Sequence, residues 1–382
     1  MKEEFDVGVI PEIKSLFIIE ELVGSGRFSD VYRARLRSNP DYTLALKHIL
    51  PFSCPRRVAN EIRIMSALGG RHNILDPKFV IRHLTHTVIA MDYMVETDIY
   101  SLSSTLDVAT LRAYLKGLAD ALCFLHAKGF IHRDVKPSNF LFNSKTHKCA
   151  LIDMGLTHRF SSPQPIKHMR ETERSSKLAC NCFQNDFVCK KCTTSKNSNK
   201  YNRKGTPGFR PPEVLLRSSR QDGGVDMWAC GAILAGLLSD RNPFFKPAPD
   251  LDSLAQVITI FGSKTMRQVA GKLGRSLITN RISYRIKLKS LCISLRSRRQ
   301  LVEFVTPCAN HDLSLQLTNF SFSHEGSSSL EASSGSLSNV TSFPDSVYHL
   351  LIKLLDPDPF TRISASDMLK HPFILGQKLT QL

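Results

Sequence analysis

The chain has 382 residues, with 51 Lys and Arg against 34 Asp and Glu, a formal net charge of +17, and 10 cysteines. This length suits a two-lobed molecule with insertions, and the basic excess favours acidic peptide, nucleic acid or phosphate as partners, a solvated basic surface being the plain alternative. Acids at Glu3, Glu4 and Asp6 stand where a leader would be apolar, and the longest apolar run, 225–238, carries Asp226 and is too short to span a bilayer, which speaks against a secreted disulfide scaffold and a membrane protein and for a soluble intracellular one.

Residues 17–23 read as a strand that enters Gly24-Ser25-Gly26-Arg27-Phe28-Ser29 and returns through Val31-Tyr32-Arg33-Ala34. Glycines between strands let the backbone close over phosphates because no Cβ blocks the approach, although a G-x-G by itself is as readily a hairpin turn. Residues 44–47, Leu-Ala-Leu-Lys, are strand-like and end in Lys47. Residues 58–65 have helical spacing with Ile62 and Met65 on an apolar face. A strand over 88–91 follows, ending at Met91 before Asp92-Tyr93-Met94. Between 110 and 128, apolar residues recur at Leu111, Tyr114, Leu115, Leu118, Leu122 and Leu125, the period of a core-facing helix.

That helix delivers the chain to His132-Arg133-Asp134-Val135-Lys136-Pro137-Ser138-Asn139, and Asp153-Met154-Gly155 follows a short apolar run. Two carboxylates, an amide and a lysine at this spacing fit phosphoryl transfer, which is mostly positioning plus charge neutralisation. One carboxylate must accept the substrate hydroxyl's proton and another must hold magnesium against the phosphates. Asp134 suits the first task and Asp153 the second, with Asn139 available for a second magnesium ion.

The H-R-D-x-x-x-x-N and D-x-G pair resembles the catalytic and metal loops of the protein kinases. The resemblance implies an α+β, bilobal fold. Its N-lobe and hinge, an antiparallel sheet with one helix, span 17–94, and its mainly helical C-lobe spans 95–373. Insertions are expected at 157–204 and 264–343. It also implies Mg2+ and ATP as cofactors. Val23, Gly24, Gly26 and Val31 would cover the nucleotide from the glycine loop, with Ala45 and Leu141 on either side of the base. Met91 would be the gatekeeper, and Asp92 and Met94 the adenine-binding hinge. Lys47 would contact the α/β-phosphates, held by Glu61. Lys136, two residues beyond Asp134, is typical of Ser/Thr kinases and would neutralise the transferred phosphoryl group. Met154 replaces the usual Phe and is expected to pack between His132 and Met65. Glu213, closing Gly205-Thr206-Pro207-Gly208-Phe209-Arg210-Pro211-Pro212-Glu213, would pair with Arg362, and Asp226 would hydrogen-bond the backbone of the catalytic turn. Every catalytic group is present in order, which favours an active enzyme over a pseudokinase.

The first insertion is polar and basic and contains Cys180-x-Cys182-x6-Cys189-x2-Cys192. Two close pairs of thiolates can close a tetrahedral structural zinc site and order a loop too polar to form a core. Free or redox-active thiols are the alternative, and His158 or His168 is a candidate to replace one cysteine. Cys54, Cys123, Cys149 and Cys230 read as ordinary buried small residues. A kinase pattern with this cysteine insert before G-T-P-G-F-R-P-P-E-V-L resembles the cell-division-cycle-seven kinases. That family's properties would be a Dbf-four-type regulatory subunit, minichromosome maintenance helicase subunits as substrates, a nuclear role in starting DNA replication, and a preference for Ser/Thr beside acidic or phosphorylated residues.

Arg203, Lys204 and Arg210 bracket Thr206, where the residue after the phosphorylated Ser/Thr is expected to lie. An arginine there offers two donors to a carboxylate or phosphate, unless these charges stay solvated or pair internally. From 264 to 299 there are eleven Lys and Arg and no Asp or Glu, with Leu288, Leu291 and Leu295 interleaved. This predicts a basic amphipathic helix that contacts chromatin, serves nuclear import through Arg296-Ser297-Arg298-Arg299, or covers the C-lobe. Ten serines between 321 and 343 predict disorder. Two competing readings stand beside the resemblance: a constitutively active acidophilic kinase of the casein-kinase type, and a non-catalytic chromatin scaffold.

Overall fold

The computed structural model describes residues 6–26, 28–160, 205–219, 221–280, 282–305 and 343–377. Five antiparallel strands form the N-lobe sheet in the order β1-β2-β3-β5-β4. They are β1 (Phe17–Ser25), β2 (Ser29–Leu36), β3 (Asn39–Ile49), β4 (Phe79–His83) and β5 (His86–Asp92). The period-2 alternation of β3 divides two cores. Leu44 and Leu46 point to one face, packing with Ala34, Val88 and Ala90, whereas Ala45 and Ile49 join the main core toward the cleft.

The lobe starts earlier than residue 17. A 3-10 turn (Val7–Val9) and helix α1 (Pro11–Leu16) precede β1 and bury Val7, Ile10 and Ile13 with Phe17 on the outer face of the sheet. The expectation of a single N-lobe helix is corrected accordingly. The expected one is α2 (Pro55–Leu68), with Pro55 in its first turn and Gly69 at its C-cap. Its buried face is Glu61, Ile64, Met65 and Leu68, one stripe of the 3.6-residue period, while Ile62 lies only half-buried beside the core.

In the C-lobe, α3 (Ile99–Ser104) precedes α4 (Val108–Ala127), which Asp107 caps by accepting from the Thr110 N–H. Helix α4 buries all six residues of the expected stripe. After the short α5 (Pro212–Leu215), helix α6 (Gly224–Ser239) is apolar nearly all round and forms the lobe's axis, with Trp228 fully buried. The lobe is completed by α7 (Asp250–Phe261), α8 (Ser263–Lys272), α9 (Leu288–Val305), α10 (Asp345–Leu354), α11 (Ala365–Leu369) and α12 (Pro372–Leu375).

The segment expected as the second insertion, from 264, begins within the packed C-lobe. Met266, Val269 and Ala270 of α8, and Leu288 and Cys292 of α9, are buried, and α9 packs against α6 and α10. Of the three readings of the basic helix, the structure supports the one in which it covers the C-lobe. Arg296 is 7% exposed and donates to the Leu237 carbonyl at 3.0 Å and the Ser103 carbonyl at 2.9 Å. It satisfies C-terminal carbonyls of α6 and α3 that otherwise lack partners. The serine-rich segment up to residue 342 lies outside the described residues. Within the first insertion, Thr157 to Phe160 belong to the fold: after β7 (Phe140–Phe142) and β8 (Cys149–Leu151), which pair with each other, β9 (His158–Arg159) pairs with β6 (Phe130–Ile131).

Candidate active site

The catalytic turn hangs from α6. The Asp226 carboxylate, fully buried, accepts from the His132 N–H at 2.8 Å, the Arg133 N–H at 2.7 Å and His126 Nε2 at 2.9 Å. Burial opposes its charge, but His126, His132 and these N–H donors outweigh that and hold its carboxyl below the ordinary value. Arg133 takes a left-handed conformation at φ 71°, which turns the chain so that Asp134 faces the cleft.

Asp134 sits at the centre of a polar network. Its Oδ1 accepts from the Thr206 hydroxyl at 2.7 Å and the Thr206 N–H at 2.9 Å. Its Oδ2 lies 3.1 Å from Lys136 Nζ and 3.2 Å from Asn139 Nδ2. Lys136 also donates to the Thr206 hydroxyl at 3.1 Å. A side-chain alcohol thus already stands between the carboxylate expected to accept the proton and the lysine expected to neutralise the phosphoryl group.

Across the cleft, Lys47 Nζ lies 2.6 Å from Glu61 Oε1 and 3.5 Å from Asp153 Oδ1. Burial opposes the charge of Lys47, yet the two carboxylates more than offset it and hold the ammonium above its ordinary value. Asp153 is also left-handed, at φ 63°, and accepts from the Gly155 N–H. Burial works against its charge too, but Lys47, His132 and Lys136 keep its carboxyl below the ordinary range. Met154, fully buried, joins the same core as Met65, and the Thr157 hydroxyl lies 3.5 Å from its sulfur.

The residues present fit magnesium and ATP. The Asn139 amide nitrogen is spent on Asp134, donating to its carbonyl at 2.9 Å and to its carboxylate, which leaves the amide oxygen for a cation. With the Asp153 carboxylate, this makes the all-oxygen donor set that a hard divalent ion prefers. A magnesium ion held there would neutralise phosphate charge, and Lys47 is placed where it would orient the phosphates, Asp134 where it would accept the hydroxyl's proton and Lys136 where it would screen the transferred group.

Val31 and Leu141 are half-buried and Ala45 is buried, while Val23 of the glycine-bearing turn is 42% exposed. Gly24 stands opposite Val31 across the β1–β2 pair, and the Gly26 N–H donates to the Ser29 carbonyl to close the turn. Met91, buried opposite Ala45, is the penultimate residue of β5. The Asp92 side chain is engaged by the Tyr42 hydroxyl and by Lys78.

The family profile described as "Protein kinase domain" matches residues 17–175 and 185–374. The human "Cell division cycle 7-related protein kinase" is 28% identical over 97% of this chain and 91% of its own length. The Encephalitozoon cuniculi "Probable cell division control protein 7 homolog 2" is 32% identical over 92% of this chain and 90% of its own. The chain belongs to the cell division cycle 7 kinases. The Schizosaccharomyces pombe "Cell cycle serine/threonine-protein kinase hsk1" is 31% identical over 70% of this chain and 60% of its own. As a member of this family, the chain is a serine/threonine protein kinase of the cell cycle that acts on protein substrates.

The fold of this cell division cycle 7 kinase brings Lys47, Glu61, Asp134, Lys136, Asn139 and Asp153 to one cleft. Arg362 meets Glu213 at 2.7 Å, both fully buried. The four insert cysteines, His168, Arg203 and Lys204 lie outside the described residues, and no cluster of metal-binding side chains occurs among the described ones. His158 lies on β9. Cys54 is exposed at the N-cap of α2, not buried as its neighbours in the sequence imply; Cys123 and Cys149 are half-buried. Arg210, expected to face substrate, donates to Asp250 at 2.6 Å and to the Gly205 carbonyl at 2.7 Å. Thr206, expected beside the substrate, reaches the Asp134 carboxylate itself through its hydroxyl. His126, which supports Asp226, was not read from the sequence. The Leu-His pair ahead of the catalytic turn was the available signal for it.

Proposed function

We propose that this kinase transfers the ATP γ-phosphate to Ser or Thr beside an acidic or phosphorylated residue. We further propose that it acts in the nucleus on minichromosome maintenance helicase subunits, with a Dbf-four-type regulatory subunit, to promote DNA replication. The observation that carries the specificity is the position of Arg210. Its guanidinium holds the carbonyl of Gly205, and the next residue, Thr206, touches Asp134 through both its N–H and its hydroxyl. A residue adjacent to the acceptor hydroxyl passes within reach of that cation, since neighbouring residues are about 3.8 Å apart. Arg203 and Lys204, immediately ahead in the sequence, add positive charge. Kinship with cell division cycle 7 kinases supports the partner and substrate assignments. We also assign a structural zinc ion to Cys180, Cys182, Cys189 and Cys192, on the tetrahedral chemistry of four thiolates.

The test is a kinase assay of the full chain, with and without a candidate regulatory subunit, on peptides differing only in the residue after the acceptor. Arg210→Ala should weaken kcat/KM for the acidic peptide more than for the neutral one. Equal loss on both would refute the specificity, and full activity of the single chain would favour the constitutive casein-kinase-type reading.

A further inference from the structure

Arg210 does not wait empty for a substrate. Its Nη1 donates to Asp250 Oδ1 at 2.6 Å and its Nε to the Gly205 carbonyl at 2.7 Å. The two side chains are 19% and 17% exposed, so the pair is largely shielded from water, and Arg210 lines one small pocket with Asp134 and Thr206. Asp250 opens α7, and Asp252 shares its first turn. A carboxylate there is favoured by the positive end of the helix whether or not Arg210 holds it. Letting go of the arginine therefore leaves Asp250 in a favourable place. Arg210 in turn loses nothing if another anion takes over.

We propose that Asp250 is a resident competitor for the anion subsite beside Asp134, and that it sets how much negative charge a substrate must bring to engage Arg210. The proposal rests on the acidic specificity put forward above and adds a threshold to it. Replacing the Asp250 carboxylate by a substrate Asp or Glu exchanges one single charge for another and gains little. A phosphorylated residue brings about −1.5 to −2 charges and three strong acceptor oxygens, and it gains more from the same guanidinium. The resident carboxylate thus separates phosphorylated from merely acidic neighbours, which an unoccupied arginine would do far less.

The experiment compares three peptides carrying Ala, Glu or phosphoserine after the acceptor serine, with the full-length wild type, Asp250→Asn and Arg210→Ala. Reading kcat/KM as ratios to the Ala peptide cancels any general loss of folding or turnover. The wild type should favour phosphoserine clearly over Glu. Asp250→Asn should raise the Glu/Ala ratio roughly five- to tenfold, the size of an interaction of about 1 to 1.4 kcal/mol, and so narrow the gap between phosphoserine and Glu. An unchanged or lowered Glu/Ala ratio in Asp250→Asn would overturn the proposal, because Asp250 would then be indifferent or would orient the arginine. The acidic specificity is judged separately, by whether Arg210→Ala lowers the phosphoserine/Ala ratio. If it does not, that reading fails and the competitor with it, whereas a lowered phosphoserine/Ala ratio in Arg210→Ala beside an unchanged Glu/Ala ratio in Asp250→Asn would overturn the competitor alone.

Discussion

Glu213 and Arg362, 149 positions apart in the chain, meet through two parallel bonds of 2.7 and 2.9 Å with both side chains sealed from water. The arginine also donates to the Gly224 carbonyl at 2.7 Å and the Asp356 carbonyl at 2.8 Å, and its guanidinium lies 5.2 Å over the Trp228 ring. One cation thereby ties the segment carrying Thr206 and Arg210 to α6 and to the loop before α11.

Removing one partner strands the other charge in the core. Arg362→Ala should lower the unfolding free energy by about 3–5 kcal/mol. Arg362→Lys should rescue little, because an ammonium cannot reproduce the planar fork. Urea denaturation of both variants checks this; a loss below about 1 kcal/mol would show the pair to be dispensable.

Asp134→Asn retains shape and hydrogen bonding but cannot accept a proton. Its kcat should fall by a factor of about 10² to 10⁴, while nucleotide affinity, set by the Lys47 side of the cleft, stays close to wild type. Transfer assays beside nucleotide titration separate the two. Full activity in the variant would remove Asp134 as the base, and retained wild-type transfer excludes a scaffold as the sole function.

His126 acts through Asp226, so its loss should misplace the catalytic turn without touching the nucleotide. His126→Ala should cost about 1–3 kcal/mol of stability, the penalty for a buried acceptor left short of a donor, and lower kcat more than it raises KM for ATP. His126→Gln, which can still donate to the Asp226 carboxylate, should restore much of the kcat. Identical kinetics for the two variants would argue against this positioning role.

A pH dependence follows from the end of the domain. The Phe373 N–H donates to His371 Nδ1, so Nε2 carries the proton and donates to His349 Nδ1 at 2.9 Å. Burial, with His349 and Lys353 nearby, pushes the His371 imidazole down to about 4 from its ordinary 6.5. Burial and Lys353 lower His349 as well. Both groups are uncharged in the folded state and charge more readily when unfolded. Their contribution is fully present above about pH 6.5 and is lost as the pH falls toward 4. It should amount to about 2 kcal/mol, visible as a falling unfolding midpoint between pH 7 and 5 that is flattened in His371→Asn. A midpoint that falls equally in the variant would assign the effect to other groups.

Much of the site is legible along the chain because its chemistry is local. Asp134, Lys136 and Asn139 lie on one turn, and α4 shows its buried stripe in its own periodicity. The sequence leaves matters open where a distant segment decides. No element is read at residues 7–16, yet Val7, Ile10 and Ile13 find the open face of the sheet and bury there. The basic helix of 264–299 stands open between chromatin contact, nuclear import and covering the C-lobe, and Arg296 is buried because the ends of α3 and α6 supply carbonyls for it. Residue type carries no information about which carbonyl groups another helix leaves unpaired.

Sequence by itself determined the reaction class and pointed to the groups expected to perform it, because phosphoryl transfer demands particular ionisable side chains at short, fixed separations. Only the tertiary structure decided who their partners are. Arg210 pairs with Asp250, Thr206 occupies the base, and His126 steadies Asp226. Such pairings depend on where separate elements cross in space, and Coulomb and hydrogen-bond energies fall off too steeply with distance for order along the chain to reveal them.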